Sequence, residues 1–329
     1  MKIYMAPMEG ITNYSYRRIH AECYGSVDKY FTPFIVPSRE RALRTRERQD
    51  ILPANNQGIR VIPQILTNQA DLFVMLAKNL EQMGYTEVNL NLGCPSGTVT
   101  SKGRGAGFLR EPLLLDAFLE QVFDQCPISI SVKSRIGVED TEEFERLLMI
   151  YNRYPMTELI LHPRLLTEKY QGLPHMEVFH MAATLCAHPL IYNGNLFTTT
   201  DVVELREQYP EERYPWLTGI MLGRGLIANP GLAAEIEGRP CGIREAEHFH
   251  NRIYEEKKRE LSGDKNLLYH MKELWFYMIQ SFENSEKDMK KLRKITKAAE
   301  YEAWAREMFR SGTWNTSRGF CPPVKAKTM

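Results

Sequence analysis

The chain has 329 residues, 43% hydrophobic and 25% charged, with a formal net charge of +1. Those values fit a globular protein with one large and one smaller domain, and no apolar run approaches the roughly 20 residues that would span a bilayer. The opening MKIYMAPMEG carries neither a long apolar stretch nor a small-residue cleavage site, so the expectation is a soluble cytoplasmic protein, monomeric, with no membrane partner.

Along the chain, short β-rich apolar runs alternate with longer segments of helical period. The runs are IYMAP (3–7), KYFTPFIV (29–36), RVIPQI (60–65), EVNLNLG (87–93), ISISVK (128–133), ELILHP (158–163), LIYNGN (190–195) and GIMLGRG (219–225). Amphipathic segments at 69–83, 112–126, 141–154, 176–187 and 199–209 fall between them. Eight strands in a repeated β-then-α order predict an α/β fold of the (β/α)8 TIM-barrel kind. A doubly wound sheet is the alternative, but no G-x-G-x-x-G follows the first strand. From about Ala246 the pattern changes to helices at 246–261, 265–283 and 286–310, a helical bundle appended to the barrel.

Polar residues and glycines gather where the strands end. They are Pro7-Met8-Glu9, Gln64, Asn91 with Cys94, Lys133 with Arg135, His162, Asn193-Gly194-Asn195 and Gly223-Arg224. In a parallel barrel these ends share one face, where such folds build their sites. The last two turns are glycine-rich and lead into helix starts, and Arg224 adds a fixed positive charge, a combination suited to phosphate. Six cysteines are scattered without a C-x-x-C pair or a histidine at zinc-finger spacing, which argues against a metal site. Cys94 stands apart because Gly93 and Pro95 flank it directly after a strand. From spacing alone it remains a structural thiol, a nucleophile or an acid.

The net charge conceals an asymmetry. Residues 241–329 hold 18 Lys and Arg against 13 Asp and Glu, leaving 24 against 28 for residues 1–240. A basic C-terminal part on a mildly acidic body suggests a polyanionic partner. Lys287, Lys290, Lys291 and Lys294 fall at helical spacing on one face, with Met289, Leu292, Thr296 and Ala299 on a mainly apolar side. The run SRERALRTRER (38–48) adds five arginines after the second strand.

Eight stretches, in order, resemble the tRNA-dihydrouridine synthases of the FMN-dependent bacterial type. They are APMEGITN (6–13), PQI (63–65), NLNLGCP (89–95), SKGRGAGFL (101–109), SVKSRIG (131–137), LHPR (161–164), YNGN (192–195) and LGRG (222–225). The resemblance implies an oxidoreductase in which NADPH reduces bound FMN and the flavin passes hydride to C6 of a uridine in tRNA. Cys94 would protonate C5, giving 5,6-dihydrouridine, and Asn91 would position the base. FMN would be held by Pro7, Met8, Glu9, Gln64, Lys133, His162, Asn193, Gly194, Asn195, Gly223 and Arg224. The stretch HPRLLT (162–167) departs from the compact His-x-Arg-Thr of many relatives, so Arg164 and Thr167 receive no role.

The implied domains are an FMN-binding catalytic barrel over 1–240, a helical tRNA-binding domain over 241–310 and a loose tail over 311–329. The partner is a tRNA rather than DNA, touched by Lys102, Arg104, Arg135, Lys287, Lys290, Lys291 and Lys294. The Gly- and Ser-rich loop 96–108 is expected to be mobile over Cys94. Two rivals share some of these features. A flavin barrel acting on a free small molecule would not need the basic helices, and a non-catalytic RNA-binding flavoprotein would not need Cys94.

Overall fold

The structure, a computed structural model, describes residues 1–40 and 43–320. The chain divides into two compact units. One holds Met1–Tyr14, Val27–Asn195 and Arg206–Met221; the other holds Ser15–Ser26, Leu196–Leu205 and the chain from Leu222.

Nine parallel strands form a single sheet. They are β1 (Lys2–Met5), β2 (Lys29–Phe31), β3 (Val61–Ile62), β4 (Gln64–Ile65), β5 (Glu87–Leu92), β6 (Ser129–Gly137), β7 (Leu159–Leu165), β8 (Leu190–Tyr192) and β9 (Leu217–Leu222). Their order is β3-β2-β1-β9-β8-β7-β6-β5-β4. Pro63 has no N–H to offer a ladder, and it divides one expected strand into β3 and β4. Because β3 pairs with β2 and β4 pairs with β5, that one segment joins the two ends of the sheet. The eight expected strands are therefore all present, as a TIM barrel with extra C-terminal helices. Helices follow at Ala70–Gln82, Pro112–Gln125, Glu143–Tyr151, Met176–Leu185 and Thr199–Gln208, each close to its sequence expectation.

Strand periodicity sorts the barrel interior into layers. A dry layer contains Tyr4, Ala6, Phe31, Ile62, Ile160, Ile191 and Met221, all buried. At the strand starts, Lys29 donates to Glu87 (2.8 Å) and Glu158 (2.9 Å). The Tyr4 hydroxyl also donates to Glu158, at 2.8 Å, and Arg60 pairs with Glu87 at 3.0 Å. This network closes the barrel's N-terminal end.

In the second unit the long helices are Ile243–Glu260, Asp264–Met278, Glu286–Lys294 and Ala298–Ser311. The single helix expected over 286–310 is thus two. The Asp264 carboxylate accepts from the Ala298 amide at 2.9 Å and starts a new helix there. Lys272 donates to the carbonyls of Arg293 (3.2 Å) and Ile295 (2.6 Å), closing the preceding one. Leu292 is buried as expected, but Thr296 and Ala299 are exposed, because the break takes them off the packed face. The core of this unit centres on Trp275, whose indole N–H donates to the Tyr301 hydroxyl at 2.8 Å.

The segment after Ser311 is packed as far as residue 320. Glu283 and Asn315 exchange backbone bonds with Thr313 and Ser281, at 2.9 and 2.7 Å. Phe320 is 5% exposed. Cys321 lies outside the described residues, as does Arg41 of the arginine run.

Candidate active site

On β5 and β6 the polar residues recur at every second position: Asn89 and Asn91, then Ser131, Lys133 and Arg135. β4 offers Gln64, and β7 offers His162 and Arg164. Register sets Gln64 beside Asn89, Asn91 beside Lys133 and Arg135 beside His162. The alternation that places apolar residues inside lower down thus places these polar ones inside at the C-terminal ends.

A ladder of amides connects the first of them. Gln64 Nε2 donates to Asn89 Oδ1 at 2.8 Å, and Asn89 Nδ2 donates to Ser131 Oγ at 3.0 Å. Asn91 Nδ2 donates to Gln64 Oε1 at 2.6 Å. The Asn91 side-chain oxygen, Oδ1, accepts from the backbone amides of Gly93 (3.0 Å) and Cys94 (2.9 Å). Asn91 therefore caps the turn that carries the thiol and keeps one amide hydrogen for another acceptor.

Burial pushes the Cys94 thiol up, against the lowering effects of the Ser96 backbone, Arg135 and Lys133. It stays protonated at neutral pH. The loop beyond it carries regular structure of its own. Gly97–Thr100 is a short helix, Gly105–Arg110 a 3-10 segment, and Gly105 to Leu109 are buried. Gly105 has φ +56°, and a Cβ there would stand 2.9 Å from the Cys94 carbonyl oxygen, so glycine alone permits this approach.

Lys133 is half-buried, and among the described residues no carboxylate pairs with its ammonium. Burial first, then repulsion from Arg135, draws it down to about 7. A cation held this way favours an anionic or electron-rich ligand.

Arg135 corrects the expectation of RNA contact. Its side chain is fully buried. It donates to three backbone carbonyls, of Gly93 (2.9 Å), Leu165 (2.7 Å) and Lys169 (2.6 Å). With three donors on carbonyls and its surface covered, it ties the cysteine turn to the loop after β7.

His162 is buried, and Arg164 Nη1 lies 2.9 Å from its Nε2. Arginine only donates, so Nε2 accepts and the imidazole proton sits on Nδ1. Arg164 also donates to Asn195 Oδ1 (3.1 Å), to the Gly172 carbonyl (2.8 Å) and to the Gln171 carbonyl (3.3 Å). It joins two residues expected at the cofactor, a role that the sequence reading left unassigned. Its position two residues after His162 on the same strand was the available signal. Thr167 donates to the Val138 carbonyl at 3.0 Å and is structural. Tyr170 was also missed; its half-exposed ring covers the Arg135 guanidinium at 5.5 Å.

Of the remaining expected residues, Asn193 spends its amide on the Met221 carbonyl at 2.8 Å. A Cβ at Gly194 would meet the Tyr192 hydroxyl at 2.1 Å, so the ring of Tyr192 requires glycine there. Pro7 and Met8 are half-buried, and Glu9 is exposed, 3.9 Å from Arg46. Lys102 is exposed and Arg104 half-buried. In the second unit Gly223 precedes the short helix Arg224–Ala228, and Arg224 stacks on Phe197 at 5.3 Å. Lys287, Lys290, Lys291 and Lys294 are exposed, Lys291 pairing with Asp288 at 3.3 Å.

Residues 4–313 match the sequence profile of the dihydrouridine synthases. The chain belongs to the dihydrouridine synthase family. Among relatives of this dihydrouridine synthase is the tRNA-dihydrouridine(16) synthase of Aquipseudomonas alcaligenes. It is 30% identical over 74% of this chain and 77% of its own length. A probable tRNA-dihydrouridine synthase 1 of Synechocystis is 25% identical over 72% of this chain and 64% of its own. Among solved structures, a GH18 chitinase from Pseudoalteromonas aurantia superposes with a TM-score of 0.51 at 12% identity. That match covers 73% of this chain and all of the chitinase chain, and it shows the barrel alone. No helix among the described residues is long and apolar enough to cross a membrane.

Proposed function

We propose that this dihydrouridine synthase reduces uridine in tRNA, with FMN as its resident cofactor and NADPH as the reductant. The observation that carries the reading is a Cys94 thiol held in an Asn91-capped turn near Lys133, which no carboxylate pairs with among the described residues. The donor set suits a flavin. Gln64 presents an amide to ring carbonyl and nitrogen, Lys133 a cation to the electron-rich ring edge, and His162 and Asn195 polar groups to the ribityl side. Pro7, Met8 and Glu9 would line the ring, and Asn193, Gly194, Gly223 and Arg224 would serve the phosphate. Lys133, drawn down to about 7, takes up its full charge when a negative group approaches.

When bound, reduced FMN supplies hydride to C6 of the uracil. Cys94 donates its proton to C5, and the thiolate regains a proton from water. Asn91 fixes the thiol through the backbone of its turn and offers its remaining amide hydrogen to the base. Arg135 holds that turn from below. A base inside a folded tRNA must leave its stack to reach this depth. The basic helical part over 241–310, with Lys287, Lys290, Lys291 and Lys294, would meet the phosphate backbone, helped by Lys102 and Arg104. The reaction belongs in the cytoplasm, where the tRNA is.

The test is dihydrouridine content in tRNA from cells lacking the gene, then regaining the wild-type or Cys94→Ala form. Wild-type restores the modification and Cys94→Ala does not. Unchanged dihydrouridine on deletion rejects the function, whereas full restoration by Cys94→Ala rejects only the acid.

A further inference from the structure

We propose that Phe320 is a positioning residue that completes, with Phe197, an aromatic corner restraining the Arg224 guanidinium and so presents it to the cofactor's phosphate. The inference rests on the assignment of Arg224 to that phosphate. The Arg224 guanidinium carbon lies 5.3 Å from the Phe197 ring centre and 5.6 Å from that of Phe320. The two rings are 5.8 Å apart and tilted by 57°, so they meet in a corner and the guanidinium lies against both. Phe320 is itself backed by Tyr277, stacked at 5.3 Å, and by Phe276 at 6.3 Å.

The chain reaches this corner by a defined route. Trp314 bridges to Phe282 in antiparallel fashion and packs its ring at 4.9 Å, and Arg318 donates to the Phe282 carbonyl at 3.4 Å. Gly319 then takes φ +65°, and a Cβ there would stand 3.0 Å from the Phe197 Cβ. That residue must be glycine for Phe320 to turn onto Arg224. From the other side, a Cβ on Gly225 would lie 2.3 Å from the Leu196 carbonyl oxygen, so the backbone after Arg224 is pressed against the segment carrying Phe197.

Two aromatic rings against one guanidinium restrict the rotation of the long side chain that carries it. A long side chain restrained beforehand loses less freedom when the anion arrives. This gives the segment 312–320 a task in cofactor retention, although the strands that carry the site come much earlier in the sequence.

The experiment compares FMN with riboflavin, which lacks the phosphate, by fluorescence titration of the full chain. Phe320→Leu keeps an apolar side chain but removes the aromatic face. It is expected to weaken FMN about tenfold while leaving riboflavin affinity unchanged. Phe320→Tyr restores FMN affinity. Phe197→Leu, removing the other ring of the corner, reproduces the phosphate-selective loss even if Phe320→Leu folds poorly. Wild-type FMN affinity in both leucine variants overturns the proposal, as does an equal loss of FMN and riboflavin. Arg224→Ala separates the two levels of inference. If it leaves the FMN-to-riboflavin ratio unchanged, the phosphate assignment falls; if it lowers the ratio and the leucine variants do not, only the aromatic restraint falls.

Discussion

At the start of β2, Lys29 is enclosed by Glu87 and Glu158, with Arg60 and the Tyr4 hydroxyl completing the set. At the other end of the barrel, Lys133 faces Arg135 and has no acidic partner among the described residues. Both are lysines on the inward face of a parallel strand, yet one is neutralised by the fold and the other is not. A charge paired in this way serves the structure. A cation pushed down by burial and by a neighbouring arginine stores a cost that only a ligand removes. The closed end contributes to stability, and the open end gives up some of it to bind.

That contrast can be broken by substitution. The largest effect is expected at the open end, where Cys94→Ala should lower the rate of dihydrouridine formation by about 10²–10⁴-fold without loss of bound flavin. Single-turnover oxidation of the reduced flavin by tRNA, with flavin absorbance as control, would measure it. At the closed end, Lys29→Met leaves two buried carboxylates short of a cation and should cost about 3–5 kcal/mol in urea unfolding. Turnover per folded molecule should not change. Lys133→Met reverses that pattern: stability is held or slightly raised, while FMN affinity falls roughly tenfold.

The smallest effect concerns the rim. His175 lies 2.7 Å from Glu168 and 3.1 Å from Glu177. Desolvation opposes its charge, but those carboxylates outweigh it and the imidazole is raised above 6.5. Its stabilising contribution is complete below 6.5 and fades as pH climbs through the raised value. Protease cleavage within 166–175 should accelerate across that window, and His175→Gln should remove the dependence.

The barrel was legible because strands buried on both sides read as short apolar runs, and their polar ends stand out against them. Cys94, Gln64, Lys133 and His162 were visible for that reason. Arg135 was not, since an exposed arginine and one buried among carbonyls look alike in sequence, and its partners lie 42, 30 and 34 residues away. The break at 295–297 was hidden in the same way, because the cap is Asp264, 34 residues from Ala298. Phe320 stood in a stretch without periodicity, where nothing local announces a ring aimed at Arg224.

The three carbonyls held by Arg135 also bear on tolerance to change. A backbone oxygen is the same whatever side chain sits above it, so the clamp reads the path of the loop after β7 and is blind to its spelling. That segment could exchange its side chains, Leu165, Leu166 and Tyr170 among them, and still deliver Gly93 and Cys94 to the same place. Side chains there are open to drift, and with them the shape of the entrance, while the acid stays where the chemistry requires it.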